Sequence, residues 1–331
     1  MSHQINLNYS PVPNWCKLPY GMTFKNDATS VAVDSKDNVY VFCRGPVPLF
    51  IFDSEGNYIN SWGEGEFLRP HGICLDKNDD LYLIDDQGHM IEKRTKEGKL
   101  IFRLGEKGKS SVRQSGDIFN LPTDAIVDPD NGDIFISDGY GNSRVHKFDT
   151  EGNYIKSWGE PGSDEGKFSL PHNIAITSDK RLIVADRENF RLQIFDTEGN
   201  FIDQWHIHHP MSVTTDSKDN IYVGEMGPPP VQEGVKNLGN CVSILNSEGE
   251  LIERLGDELP GSNDNQFVAP HGIAVDSNGS IYVAEVAWTF WFSRQENPPI
   301  GEIPSLRTVS YTHLRAHETR EEGGLGGMRE K

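Results

Sequence analysis

The sequence contains little of what several classes of protein require. Only four of its 331 residues are cysteines, and they show no C-x-x-C pairing, so a disulfide scaffold is excluded as the basis of the fold. Basic residues number 31 against 50 acidic ones, which gives a formal net charge of −19. Because nucleic-acid binding needs a basic surface that displaces counterions from phosphates, we expect no nucleic-acid partner.

Long apolar runs are also absent. No stretch approaches the ~20 apolar residues that a membrane helix needs, and the N-terminal residues lack the basic-then-apolar layout of a secretory signal. We therefore expect a cytoplasmic protein without a membrane partner. The 33 glycines and 19 prolines are scattered along the chain, which indicates many turns rather than a low-complexity segment.

Internal repetition is the strongest positive feature of the sequence. Each unit has a short apolar strand ending in a polar residue (usually Asp), a turn rich in Asn, Asp and Gly, and an I-Y-V type strand followed by an acidic residue in most copies. The six copies begin at Ser30, His71, Thr123, His172, Met211 and His271. Further strands follow, joined by D-x-E-G-N turns whose glycine permits the positive φ of a tight hairpin. Four short strands per unit predict an all-β fold, a six-bladed β-propeller with four-stranded antiparallel blades.

The repeats also suggest domain limits. We assign residues 25–308 to the propeller, whose last blade looks incomplete because the pattern fails after AEVAWTFWF. Residues 1–24 form an N-terminal extension, and we expect its segment around residues 20–24 to close the ring. Residues 309–331 are polar and Gly-rich without a repeat pattern, so we expect a non-native, disordered tail.

Three histidines occupy one register of the aligned units. The position before the first strand holds, in order, Thr29, His71, Thr123, His172, Met211 and His271. Alternate blades of a six-fold ring are about 120° apart, so the three imidazoles are expected to meet on the central axis. Three histidine ligands with a free fourth position are typical of catalytic zinc. The alternative is that P-H-G is merely the consensus with which a strand of this repeat begins.

The units resemble NHL repeats, and the order of motifs over roughly residues 25–300 resembles the peptidyl-α-hydroxyglycine α-amidating lyase (peptidylamidoglycolate lyase) family. The resemblance is carried by FCRG near the start, the three P-H motifs, SDGYGNSR and ADREN, all in the family's order. It implies a zinc-dependent carbon–nitrogen lyase. Such an enzyme cleaves a peptidyl-α-hydroxyglycine-like carbinolamide to an amide and glyoxylate.

The same resemblance implies roles for three further residues. Arg44 of FCRG and Arg187 of ADREN would hold the substrate carboxylate or polarise its oxygens, as a guanidinium does well. Tyr140 of SDGY would take the proton of the substrate hydroxyl, aided by metal and arginine charges that favour the phenolate. The other units place Asp86, Met226 and Val286 at comparable positions.

The resemblance also raises the question of a calcium ion in the channel. In that family the ion is bound by two backbone carbonyls, which correspond to Val31 and Ile73, and by a carboxylate beside the last histidine. The carboxylate position is Gly272 in this chain. One oxygen ligand of the kind that calcium prefers is therefore missing, and calcium stays open at this point.

Two other functions remain open from the residues alone. The chain could be a non-catalytic NHL propeller that presents its loops to a protein partner. It could also be a metal-dependent propeller hydrolase of the lactonase type, although that chemistry calls for Asp, Glu and Asn ligands more than for three histidines. We favour an enzyme with a small-molecule or peptide-like substrate.

Overall fold

Six four-stranded antiparallel sheets form the blades of a β-propeller in the computed structural model of this chain. The structure describes residues 9–25, 27–227, 239–257, 259–297 and 303–311. The first strands of neighbouring blades contact each other all the way around, including the first and sixth blades, so the ring is closed. The predicted all-β, six-bladed architecture is confirmed.

Each blade runs outward from the central channel. The first three blades contain β2 (Ala28–Val33), β3 (Val39–Cys43), β4 (Leu49–Phe52) and β5 (Tyr58–Trp62), then β6 (Pro70–Leu75), β7 (Leu81–Asp85), β8 (Met90–Arg94) and β9 (Leu100–Gly105), then β10 (Asp124–Val127), β11 (Ile134–Asp138), β12 (Arg144–Phe148) and β13 (Tyr154–Trp158).

The remaining blades follow the same order. They contain β14 (Pro171–Ile176), β15 (Leu182–Asp186), β16 (Arg191–Phe195) and β17 (Phe201–His206), then β18 (Pro210–Thr215), β19 (Ile221–Glu225), β20 (Cys241–Leu245) and β21 (Leu251–Leu255), then β22 (Pro270–Val275), β23 (Ile281–Glu285), β24 (Leu306–Tyr311) and β1 (Tyr9–Pro11). In the described part of the chain, the short helix α1 (Ala287–Phe290) and the 3-10 turns Arg187–Asn189 and Phe292–Arg294 lie in loops. Among the described residues, no helix combines the length and apolar character needed to cross a membrane.

The repeated sequence features explain the hairpins between the outer strands. In the third blade, one carboxylate oxygen of Asp149 accepts the backbone N–H groups of Glu151 at 3.0 Å and Asn153 at 2.8 Å. Gly152 has a φ of +87°, which a residue with a Cβ rarely adopts. The D-x-E-G-N motif is therefore a turn whose aspartate satisfies the backbone donors at its tip.

A second repeated carboxylate fixes the loops at the mouth of the channel. Asp85, at the end of β7, accepts the backbone N–H groups of Leu68 at 2.7 Å and Arg69 at 2.8 Å. Asp186 likewise accepts the N–H of Ser169 at 2.7 Å. These buried carboxylates satisfy donors that would otherwise be unpaired, so each acid holds the loop that leads into the first strand of its own blade.

The sixth blade is completed by the N-terminal strand. β1 pairs antiparallel with β24, with Tyr9 opposite Tyr311 and Pro11 opposite Val309. This closing segment lies before the segment around residues 20–24 that the sequence suggested, and Phe24 instead packs in the core, 5.1 Å from Phe50 between ring centroids. β24 extends past residue 308, the predicted end of the propeller. The rest of the predicted tail, residues 312–331, lies outside the described residues.

Removing this closing strand is expected to destabilise the ring. Deletion of residues 1–11 exposes the backbone donors and acceptors of β24 and removes the ring contact between Tyr9 and Tyr311, 5.5 Å apart between centroids. At ~1 kcal/mol per lost hydrogen bond, the unfolding free energy should fall by about 2 kcal/mol or more. Thermal unfolding measures this, and deletion of residues 1–8 alone is the control. Equal midpoints for the two deletions would show that β1 does not contribute to stability.

Candidate metal centre and active site

The three predicted histidines meet on the channel axis. His71, His172 and His271 are the second residues of β6, β14 and β22. Their ring centroids are 5.0 Å apart for His71 and His172, 4.7 Å for His71 and His271, and 4.8 Å for His172 and His271. All three side chains are buried. The histidines of alternate blades therefore form a near-regular triangle on the channel axis.

The blades between the histidines orient these rings. The Nδ1 atoms of His71, His172 and His271 lie 2.6, 2.5 and 2.6 Å from the backbone oxygens of Thr123, Met211 and Thr29, respectively. Because a carbonyl can only accept, each Nδ1 carries the proton and each Nε2 keeps its lone pair. This is the orientation that protein structures use to prepare imidazole for a metal ion.

The Nε2 atoms of the three histidines have fewer hydrogen-bond donors than they can accept. Those of His71 and His172 each lie 3.0 Å from the hydroxyl of Tyr140, whose single proton can serve only one of them at a time. The Nε2 of His271 is buried without a hydrogen-bond partner among the described residues. The three ligand atoms lie within 4.8 Å of one another. A cation would satisfy all three lone pairs, so these residues fit a metal ion.

The histidines are also neutral, as metal ligands must be. Burial lowers the pKa of His71 and His172 well below the usual value. Burial lowers the pKa of His271 to about 3, and the positive charge of Arg44 acts in the same direction. The site therefore offers uncharged imidazoles throughout the neutral pH range.

Tyr140 is held by the motif in which it lies. Asp138, at the end of β11, accepts the backbone N–H of Asn120 at 3.0 Å and the side-chain amide of Asn142 at 2.9 Å. A Cβ on Gly139 would lie 2.0 Å from the backbone oxygen of Pro171, so only glycine allows this close approach. The S-D-G-Y-G-N sequence therefore forms a tight turn that directs Tyr140 toward the histidines.

Arginines surround the ring of Tyr140. The guanidinium carbons of Arg187 and Arg69 each lie 5.7 Å from the ring centroid. Burial raises the pKa of the Tyr140 hydroxyl, whereas the charges of Arg187, Arg69 and Arg44 lower it. Burial is the larger effect, so the arginines alone do not produce the phenolate that the sequence resemblance led us to expect.

Each of the two predicted arginines is paired with a carboxylate. The Nε of Arg187 donates to Glu188 at 2.8 Å, and Glu188 in turn lies 3.3 Å from the Nε2 of His209. Arg44 lies 3.5 Å from Asp27 and donates to the Thr289 hydroxyl at 3.1 Å. These partners fix the position of each guanidinium group.

Two residues of this site were not assigned roles from the sequence. Arg69 precedes the P-H-G motif of His71, and Asp86 occupies the register of Arg44, Tyr140 and Arg187. The Nε of Arg69 lies 3.2 Å from the carboxylate of Asp86. Burial raises the pKa of Asp86 to about 6 despite the opposing charges of Arg69 and Arg44. The shared register was the signal that could have identified Asp86.

One of the calcium ligands implied by the resemblance is missing here. Val31 and Ile73 lie in β2 and β6, the innermost strands of their blades. At the carboxylate position, a Cβ on Gly272 would lie 2.6 Å from the Cα of Ser30, so this backbone leaves no room for an acidic side chain. The described residues therefore lack the carboxylate ligand of that family's calcium site, and a role for the carbonyls of Val31 and Ile73 stays a prediction.

A different carboxylate occupies the same level of the channel. Asp124, which follows Thr123, is buried; its Oδ2 accepts the amide of Asn173 at 2.5 Å, and its Oδ1 has no partner among the described residues. Burial raises the pKa of Asp124 to about 8. Between about pH 4 and pH 8, the carboxyl group of Asp124 is therefore protonated in the folded protein. In the unfolded chain the same group would be ionised over this range.

Replacing Asp124 with Asn is expected to change how stability depends on pH. Between about pH 4 and pH 8 the folded state keeps a proton that the unfolded state releases, so stability falls as the pH rises through this window. The variant lacks this dependence and should unfold at a higher temperature than the wild type at pH 8, with the difference vanishing near pH 4. The control is Asp149→Asn, at an exposed carboxylate whose pKa is lowered by turn hydrogen bonds. If the unfolding temperatures of Asp124→Asn and the wild type differed by the same amount from about pH 4 to pH 8, this expectation would be contradicted.

The chain has sequence relatives in a lyase family. The family model described as NHL repeat matches residues 119–148 and 168–195. Peptidyl-glycine alpha-amidating monooxygenase of Mus musculus is 30% identical over 310 residues, covering 79% of this chain and 30% of that protein. Peptidyl-alpha-hydroxyglycine alpha-amidating lyase 1 of Drosophila melanogaster is 29% identical over 282 residues, covering 76% of this chain and 50% of that protein. The chain thus spans between 30% and 50% of the length of these relatives.

Solved structures share the architecture at low sequence identity. A gluconolactonase of Xanthomonas campestris superposes with a TM-score of 0.59 and 12% identity over 88% of this chain and 89% of that chain. At this identity the likeness concerns the fold alone. The chain is a six-bladed β-propeller that carries NHL repeats, and it is similar in sequence to peptidyl-α-hydroxyglycine α-amidating lyases.

Proposed function

We propose that this chain is a zinc-dependent lyase that cleaves the C–N bond of an α-hydroxyglycine-type carbinolamide. The observation that carries the proposal is the triangle of buried histidine Nε2 atoms with the Tyr140 hydroxyl 3.0 Å from two of them. The sequence similarity to named lyases supports the same chemistry. His71, His172 and His271 would hold the metal ion.

The reaction converts one molecule into two without an oxidant or water. A bound zinc ion would supply Lewis acidity, which lowers the pKa of a substrate hydroxyl. The positive charge of such an ion, added to those of the arginines, would also favour the phenolate of Tyr140. The Tyr140 phenolate would accept the hydroxyl proton, the carbon–oxygen bond would become the aldehyde C=O of glyoxylate, and the C–N bond would break. The amide nitrogen would then take up a proton, which the Tyr140 hydroxyl would return. The atoms of the substrate are fully recovered in amide and glyoxylate.

The arginines would bind the substrate carboxylate. Arg187 and Arg69 flank the Tyr140 ring at 5.7 Å, and the charge of Arg44 is close enough to lower the pKa of His71 and His271. Guanidinium groups bind carboxylates through paired N–H donors. A carboxylate held here would place the adjacent hydroxyl-bearing carbon beside Tyr140 and the histidines.

Product analysis tests this proposal. The purified full chain, with its metal content measured, is incubated with α-hydroxyhippurate, and glyoxylate and benzamide are quantified. We expect equal amounts of the two products, and we expect turnover to stop after metal removal by a chelator and to return on adding zinc. A zinc-loaded protein that releases no glyoxylate would contradict the proposed activity.

A further inference from the structure

A recess of about 200 Å³ opens between the first and second blades, next to Arg44 and Arg69. Its polar lining includes Arg44 and Arg69, and its apolar lining includes Pro48, Phe67 and Leu68. Pro70 of the P-H-G motif also lines it, directly before His71. Because the guanidinium carbon of Arg69 also lies 5.7 Å from the centroid of the Tyr140 ring, the recess adjoins the candidate active site.

The walls of this recess are fixed by the fold. Phe67 packs edge-on against Phe42 with 5.1 Å between centroids, and the guanidinium carbon of Arg94 lies 5.7 Å from the Phe67 ring. The buried carboxylate of Asp85 holds the backbone N–H groups of Leu68 and Arg69. A recess built this way keeps its shape without a ligand, which favours binding.

Two features of the lining point to a ligand. Arg44 lines the recess, and its Nε is buried without a hydrogen-bond partner among the described residues, so this guanidinium keeps unused capacity to donate a hydrogen bond. Leu68 is 56% exposed although it stands at the rim of an apolar wall. A ligand that carries an acceptor oxygen next to an apolar group would accept a hydrogen bond from Arg44 and cover the exposed side chain of Leu68.

We propose that this recess binds the acyl group on the substrate nitrogen, with the amide oxygen facing Arg44 and the hydrocarbon part contacting Phe67, Pro48 and Leu68. This inference rests on the proposed function. Since liquid water occupies about 30 Å³ per molecule, the recess holds the volume of about seven waters. That volume suits one compact apolar group, such as a benzoyl ring, so the preferred substrates are small aromatic or branched N-acyl-α-hydroxyglycines.

Substrate preference and direct binding together test the subsite. The wild type should cleave α-hydroxyhippurate with a kcat/KM at least about tenfold above that for N-acetyl-α-hydroxyglycine, because the ring buries apolar area that the methyl group does not. Leu68→Ser and Phe67→Ala should reduce this ratio to within about threefold of unity. Leu251→Ser, at a similarly exposed leucine (54%) of the outer strand β21, should keep the ratio.

A second measurement separates the subsite from the activity. Hippurate lacks the hydroxyl and cannot be cleaved, and its binding is followed by calorimetry and by saturation transfer to its ring protons. We expect binding that Leu68→Ser weakens and Leu251→Ser does not, even if no substrate is turned over, in which case the subsite stands and the proposed activity falls. Cleavage with equal kcat/KM for both substrates, together with hippurate binding that Leu68→Ser leaves unchanged, would overturn the subsite while leaving the lyase activity in place.

Discussion

Replacing His172 with alanine is expected to empty the metal site. The variant removes one of three histidine ligand atoms that lie within 4.8 Å of one another. It leaves two imidazoles, and that of His71 already has a partner in Tyr140. Because even partners that only orient metal ligands are worth about 10- to 100-fold in affinity, loss of a ligand should lower zinc affinity by more than ~100-fold. Metal analysis after equilibrium dialysis measures this directly.

The control for this variant is His206→Ala. His206 ends the outer strand β17 and is exposed, so its removal changes the histidine count without touching the channel. It should retain the wild-type metal content. Full metal retention in His172→Ala, in a protein that unfolds like the wild type, would remove these histidines from the metal site.

Replacing Tyr140 with phenylalanine is expected to abolish most turnover while leaving the metal bound. The variant keeps the ring between Arg187 and Arg69 and removes only the hydroxyl that lies 3.0 Å from His71 and His172. Loss of a positioned acid–base group reduces rates by about 10²- to 10⁴-fold. We therefore expect kcat on α-hydroxyhippurate to fall by that range, with zinc content at the wild-type level.

Tyr154→Phe provides the matched control. Tyr154 begins the outer strand β13 and is 51% exposed, so the same chemical change there should leave kcat unaltered. Unchanged turnover in Tyr140→Phe would exclude the tyrosine from the proton transfer. A loss of metal in that variant would instead assign the hydroxyl a ligand-binding role.

The architecture could be predicted from the sequence because every blade repeats the same strand and turn motifs. The aligned first strands led directly to six sheets, and the register of Thr29, His71, Thr123, His172, Met211 and His271 led to the triangle on the axis. Closure of the ring was harder to predict. β1 is a three-residue strand ending in proline and pairs with residues about 300 positions away, so no local pattern identifies it.

The candidate site could be predicted only in part, because some of its contacts also join residues that no local sequence pattern connects. The order of the motifs predicted that His71, His172 and Tyr140 belong to one site, and the structure brings them together. It also predicted Arg187, which lies over the ring of Tyr140. Arg69, Asp86 and the pairing of Glu188 with His209 depend on contacts between loops of different length. The pKa of Tyr140 could not be inferred either, because it reflects a balance between burial and three arginine charges that only the packed structure determines.

The hydrogen bonds from each histidine Nδ1 to the next blade have a thermodynamic consequence. The carbonyls of Thr123, Met211 and Thr29 belong to the third, fifth and first blades, so six blades take part in a centre that has ligands from only three. The bond from His271 to Thr29 crosses the junction where the two ends of the ring meet. Opening that junction would misorient one imidazole, so ion affinity and ring closure are linked. An ion bound to the three histidines would therefore stabilise the closed ring.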